Sequence, residues 1–201
     1  MSNSIAVEKR SSFLIIRFTR PEIRNPLSVS VLEELDRILD TYSALANVEK
    51  LIFTGTGNAF ASGADLREIA DVTAENAREF SLRGQNLMSK IAAVSIPTLA
   101  AINGFCFGGA LDLALACRHR IASPDASFAH PGTKLGIITG WSGTQRLPRL
   151  IGQANALEMF YTAEPVSAFE ALRIGLVNQI AEDPLVDSMA NRYGDETSKI
   201  V

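Results

Sequence analysis

Apolar positions along this chain follow two rhythms. Short apolar runs at Leu51–Thr54, Thr98–Ile102, Arg120–Ala122, Ala126–Phe128 and Val177–Ala181 predict strands, several of them too uniformly apolar to face water on either side. Residues 5 to 18 predict a hairpin that turns over Lys9 to Ser12, with Phe13, Ile15 and Phe18 buried. Between the strands the period lengthens to that of a helix. Ser30 and Glu33 form a capping box ahead of Val31, Leu35, Ile38, Leu39 and Tyr42, a helix ending near Asn47. Thr73 is placed to cap a long helix, Ala74 to Ala93, with Leu82, Leu87, Met88 and Ile91 on its apolar face. Helices are also predicted from Gly152 to Tyr161 and from Ser167 to Ile174, the latter closed by Gly175. The recurring order is strand, strand, helix, which predicts an α/β fold. Periodicity alone does not separate stacked ββα turns from a doubly wound sheet.

The most informative stretch is Pro97 to Cys117, PTLAAINGFCFGGALDLALAC. A strand leads through Asn103-Gly104 and the pair Gly108-Gly109 into a helix whose residues, Asp112 apart, are small or aliphatic. Glycine at a helix start lets a ligand approach the main chain, and the first N–H groups there lack intrahelical partners. Such an end suits an anion or a developing oxyanion. Asp112 lies three residues after Gly109, on the same helix face. Burying a carboxylate is costly unless it is paired or used. It is therefore either a structural Asp meeting a loop or an Arg, or a general acid/base beside an oxyanion site. A second loop, Gly55 to Leu66 (GTGNAFASGADL), also follows a strand and offers small residues before a helix.

Length and apolar content, 201 residues and 47%, are enough for one substantial core. A net charge of −3 without a basic cluster leaves no electrostatic footprint for nucleic acid or a membrane surface. No apolar run reaches spanning length and MSNSIAVEKR does not read as a signal peptide, so a cytoplasmic location is expected. Cys106 and Cys117 read as buried free thiols, and with His119 and His130 the only histidines no metal site is expected. Residues His130 to Arg146 form a glycine-rich loop with the only tryptophan, Trp141. Gly140-Trp141-Ser142-Gly143 falls one residue short of a nucleophile elbow and lacks its strand–turn–helix context, so a serine nucleophile is not indicated.

FASGADL, INGFCFGGALDLALAC and GTKLGIITGWSGTQRLPRLIG, in this order, resemble the three signatures of the crotonase (enoyl-CoA hydratase/isomerase) superfamily, over roughly residues 5 to 180. The resemblance implies a crotonase-like (ClpP/crotonase) spiral of stacked ββα units as core domain, residues 1–182. Residues 183–201 would be a short, partly disordered tail, where the family usually continues with helices that cover the acyl pocket and build trimers. It implies an acyl-CoA substrate, with coenzyme A as part of that substrate rather than a cofactor, and a homotrimer or dimer of trimers. The thioester oxygen would be held by the amides of Ala64 and Gly109. Coenzyme A contacts would fall on Ser62, Ala64, Asp65, Leu66, Gly108 and Gly132, with Arg24 and Arg67 near its phosphates.

The acid/base pair departs from the pattern. Where typical hydratases carry two glutamates, this chain has Asp112 and Gly132. Hydration needs a base for water and an acid for the α-carbon. His130 is one candidate replacement, against a merely loop-bonded histidine. A bicarbonate or water in the space at Gly132 is another, as in the dihydroxynaphthoyl-CoA synthase branch. The third is Asp112 acting alone, as a double-bond isomerase requires. The dehalogenase and dienoyl-CoA isomerase branches place an Asp at Gly140 and are disfavoured. The leading expectation is a hydratase/isomerase-type enzyme that stabilises a thioester enolate. Its rivals are a non-catalytic acyl-CoA binder and a CoA-thioester decarboxylase or carbon–carbon bond-forming enzyme.

Overall fold

The structure, a computed structural model, describes residues 4–42 and 47–190. The first hairpin is β1 (Ile5–Arg10) and β2 (Phe13–Phe18), paired antiparallel. After the two-residue strand β3 (Pro26–Leu27) comes helix α1 (Val29–Thr41). Then follow β4 (Lys50–Thr54), β5 (Ala59–Ala61), β6 (Gly63–Ala64), α2 (Leu66–Ala70) and α3 (Ala77–Ala93). The next turn of the chain is β7 (Thr98–Ile102), β8 (Phe105–Phe107) and α4 (Gly109–Ala116). The third is β9 (His119–Ala122), β10 (Ser127–Ala129), α5 (Gly143–Ile151) and α6 (Gln153–Thr162). The chain closes with β11 (Val166–Ser167), α7 (Ala168–Arg173), β12 (Gln179–Ile180) and α8 (Pro184–Ala190).

Among the described residues the strands form three sheets. The largest runs β1-β2-β4-β7-β9-β12 and the second β11-β10-β8-β5, while β3 pairs with β6. Each of β4, β7 and β9 therefore feeds the first sheet and is followed by a strand of the second, β5, β8 or β10, before a helix. That is the spiral of ββα turns, and all β4–β7–β9 and β5–β8–β10 pairings are parallel. Alternation sorts the first sheet's side chains onto two faces. Leu51, Phe53, Ala100 and Ile102 join the main core, whereas Ile15, Ile52, Leu99 and Ala101 form a smaller cluster on the other side. Leu185 and Met189 of α8 cover that second face, which explains why these strands read as unbroken apolar runs.

Helix ends differ from the sequence reading. Ser28, not Ser30, is the N-cap of α1, and its hydroxyl meets Ser30 Oγ at 3.0 Å instead of capping. The Val29 amide is satisfied by Glu68 Oε2 of α2 at 2.8 Å, so the cap comes from 39 residues away rather than from Glu33. Helix α1 gives way at Tyr42, and the predicted extension toward Asn47 crosses residues outside those described. Helix α3 starts at Ala77 because the Asn76 side chain turns back to accept from the Thr73 amide, at 2.7 Å, and holds residues 73–76 in a turn. The glycine-rich segment is more ordered than predicted. It contains a 3-10 turn, Pro131–Leu135, and then α5, which buries Gly143, Leu147 and Ile151 despite Pro148 inside it. The tail expectation for residues 191–201 lies outside the described residues.

Candidate active site

Two main-chain segments meet at the site. Pairing with β3 (Pro26 with Gly63, Leu27 with Ala64) fixes β6, and Gly63 takes φ +89, open to glycine without strain. Gly108, at φ +54 and ψ −123, turns β8 sharply into α4. Its own amide donates to Ala129 O at 2.8 Å, which leaves Gly109 as the first residue of the helix, with an amide that no intrahelical carbonyl can serve. A methyl group added at Gly63 would lie 2.8 Å from Gly109 N, and one added at Gly109 would lie 3.4 Å from Ala64 N. The two glycine-lined segments are thus in contact, and both Ala64 and Gly109 border one cavity of about 300 Å³.

Asp112 stands one turn further along α4, fully buried. Its Oδ2 accepts a short hydrogen bond from the Thr139 hydroxyl. Its Oδ1 lies 3.5 Å from His130 Nε2 and accepts no well-formed hydrogen bond among the described residues. Burial raises the Asp112 pKa to about 7, against the opposing pull of Thr139, the nearby amides of Trp141 and Gly143, and Arg146. Burial also lowers the His130 pKa to about 4, so this imidazole is neutral at pH 7. His130 packs against the Phe160 ring at 5.2 Å, and neither of its ring nitrogens has a well-formed hydrogen bond among the described residues. Buried, unpartnered polar atoms are uncommon. Asp112 and His130, which carry three of those found among the described residues, both line the cavity.

Of the residues singled out from sequence, Ser62, Ala64, Leu66, Gly108, Gly109, Asp112, His130 and Gly132 all line this cavity. Arg24, Asp65 and Arg67 do not. Asp65 caps α2 by accepting from the Arg67 amide at 3.0 Å, and its carboxylate pairs with the Arg67 guanidinium at 2.7 Å, which lowers its pKa. Arg24 lies outside, with its guanidinium 4.8 Å from the centroid of the Phe105 ring. Gly132 borders the cavity, but there is no room for a side chain on it. A side chain there would start 2.6 Å from Ile137 O, and the Ile137 amide donates to Gly132 O at 2.9 Å.

Sequence reasoning missed Thr139, Trp141, Phe80 and Ser81 as lining residues. Only the glycine spacing around Trp141 hinted at them. Ser142 does take φ +93 just before α5, but its hydroxyl accepts from Arg146 Nε at 2.9 Å and it is not in the cavity wall. Among the described residues no group of three His, Cys, Asp or Glu is placed to hold a metal ion. Both cysteines are buried, and burial pushes the Cys117 thiol up to about 12.

A family model described as enoyl-CoA hydratase/isomerase matches residues 8–196. The chain belongs to that family. A crotonyl-CoA hydratase from Syntrophomonas wolfei is 39% identical over 194 residues, 94% of this chain and 75% of the relative. A short-chain-enoyl-CoA hydratase from Clostridium acetobutylicum is 36% identical over 200 residues, 99% of this chain and 76% of the relative. The crystal structure of an enoyl-CoA hydratase from Bacillus anthracis superposes with a TM-score of 0.86 at 40% identity, over 93% of this chain and 73% of that one. The fold is therefore the crotonase fold, and the chain spans about three-quarters of the length of these relatives.

Proposed function

We propose that this family member acts on enoyl-CoA thioesters through an enolate, with Asp112 as the proton-transfer group and the amides of Ala64 and Gly109 as donors to the thioester oxygen. One observation carries the reading: a fully buried carboxylate shares a cavity with the two abutting main-chain segments. The Asp112 carboxylate takes a proton from an acidic carbon of the acyl group. The C–H electron pair moves toward the carbonyl, whose oxygen gains negative charge between the two amides. Each such donor is worth roughly 2.7–4 kcal/mol of barrier. Asp112, now protonated, returns its proton to a different carbon, and the double bond has moved. This one-base sequence needs no second carboxylate, in keeping with Gly132.

Hydration is the second reading. It is favoured by neutral His130, which lines the same cavity 3.5 Å from Asp112 and offers the second proton-transfer group that water addition needs. The names of the two hydratase relatives above point the same way. Solvent-deuterium exchange at the acyl α-carbon tests the shared enolate without presuming the net reaction. Wild-type protein should exchange the α-protons of a saturated acyl-CoA or a 3-enoyl-CoA, whose α-carbon is sp3, and Asp112→Asn should lose at least a hundredfold of that rate. Undiminished exchange in the variant removes Asp112 from the chemistry, and acyl-CoA binding without any exchange makes the protein a binder instead. Water addition to crotonyl-CoA that disappears in His130→Gln would select the second reading. The assembly proposed with this chemistry is a homotrimer or a pair of trimers, and sedimentation showing a stable monomer would remove it.

A further inference from the structure

The indole of Trp141 occupies an unusual seat. It is 3% exposed, yet it forms part of the cavity wall. On one side it lies against Gly84 in the middle of α3, where an added methyl would fall 2.1 to 2.3 Å from Cδ1, Cγ and Nε1 of the ring. On the other its benzo edge covers Gly109, where an added methyl would fall 2.3 Å from Cζ3 and 2.4 Å from Cε3. Phe80 stands beside it, with ring centroids 5.9 Å apart. Glycine in a helix interior is unfavourable by about 1 kcal/mol relative to alanine, so a packing reason at Gly84 is called for. The indole supplies it.

These contacts make the indole a plug. It fills a slot between α3 and α4 that opens onto the cavity at the residue whose amide is assigned to the thioester oxygen. A smaller side chain at 141 would leave that slot empty and continuous with the cavity. With the plug in place the cavity is about 300 Å³, at the small end of the range for ligand pockets, roughly 300–1,000 Å³. Part of that space must also take the thioester itself. We infer that Trp141 sets acyl-chain length, restricting the site to short acyl groups by closing the inner branch of the pocket. This rests on the acyl-CoA reading above and adds the substrate's size class to it.

The experiment is calorimetry of the intact protein with saturated acyl-CoAs of two to twelve carbons, which bind without turning over. Wild-type affinity should peak at short chains and fall as the chain lengthens. Trp141→Leu and Trp141→Ala should move the peak outward by two or more carbons, with about a fourfold gain in affinity for each methylene that enters the vacated slot. Each preference is a ratio within one variant, so a uniform loss of active protein cancels. If Trp141→Ala does not fold, Trp141→Leu decides. An unchanged length profile in the folded variants overturns the role of Trp141 and leaves the acyl-CoA reading intact. Failure of the wild-type protein to bind any acyl-CoA overturns that reading instead.

Discussion

At the scale of single residues, the proposed chemistry turns on how Asp112 is held. One carboxylate oxygen is tied to Thr139, and the other is left facing neutral His130. Thr139 stabilises the ionised form and so opposes the rise in pKa that burial causes. Thr139→Val should push the Asp112 pKa above about 7, by roughly one pH unit if the bond contributes about 1 kcal/mol. The base must be ionised, so the alkaline plateau of α-proton exchange should be reached about one unit later. Near pH 7 the variant should be slower by roughly fivefold, with most of the difference gone by pH 9. A profile that drops uniformly at all pH values would mean Thr139 positions the loop rather than the proton. Gly132→Glu makes a contrasting case. It restores the residue type that typical hydratases carry, but its Cβ meets Ile137 O at 2.6 Å. It should lower thermal stability and bring no gain in crotonyl-CoA hydration. A hydration rate raised tenfold would show that the 132–138 segment yields.

At the scale of elements, what could be read from sequence and what could not divide along a physical line. Strands β4 and β7 and helix α4 were legible because burial on every side leaves an unbroken apolar signature. Asp112 stood out against that background, and so did the glycine pair before it. Long-range satisfaction of polar groups was not legible. The α1 amide bonded by Glu68 looked locally like a Ser30–Glu33 box, and nothing near Ser28 in sequence announces a partner 39 residues away. Helix α5 was missed because Pro148 and the glycines hid a burial period of four, through Gly143, Leu147 and Ile151. Thr139, which bonds Asp112 across 27 residues, had only the neighbouring glycine spacing to hint at it. The Glu68 contact is open to test. Glu68→Ala should reduce stability by about 1 kcal/mol, the usual effect of losing an N-cap, measured as a lower urea midpoint at unchanged slope. A loss under a few tenths would show that water replaces the carboxylate without penalty.

At the scale of the whole molecule, the buried pair couples stability to pH with two opposing signs. Asp112 has its pKa raised from 3.8 to about 7, so between those values the folded state holds a proton that the unfolded chain releases. That contribution is present at low pH and is lost as pH rises toward 7. His130 has its pKa lowered from 6.5 to about 4, so over that window the unfolded chain binds the proton and stability is gained as pH rises. The two slopes largely cancel from about pH 4 to 6.5, which leaves the Asp112 loss exposed only as pH approaches 7. Asp112→Asn removes one side of the balance. Relative to wild type, its thermal midpoint should climb from pH 4 to 6.5. Above pH 7.5 the variant should be the more stable protein, by at most about 4 kcal/mol and by less if water reaches the carboxylate. A midpoint for Asp112→Asn that runs parallel to wild type from pH 4 to 8 would mean the carboxyl ionises as freely in the folded protein as in water. The site would then have no poised base.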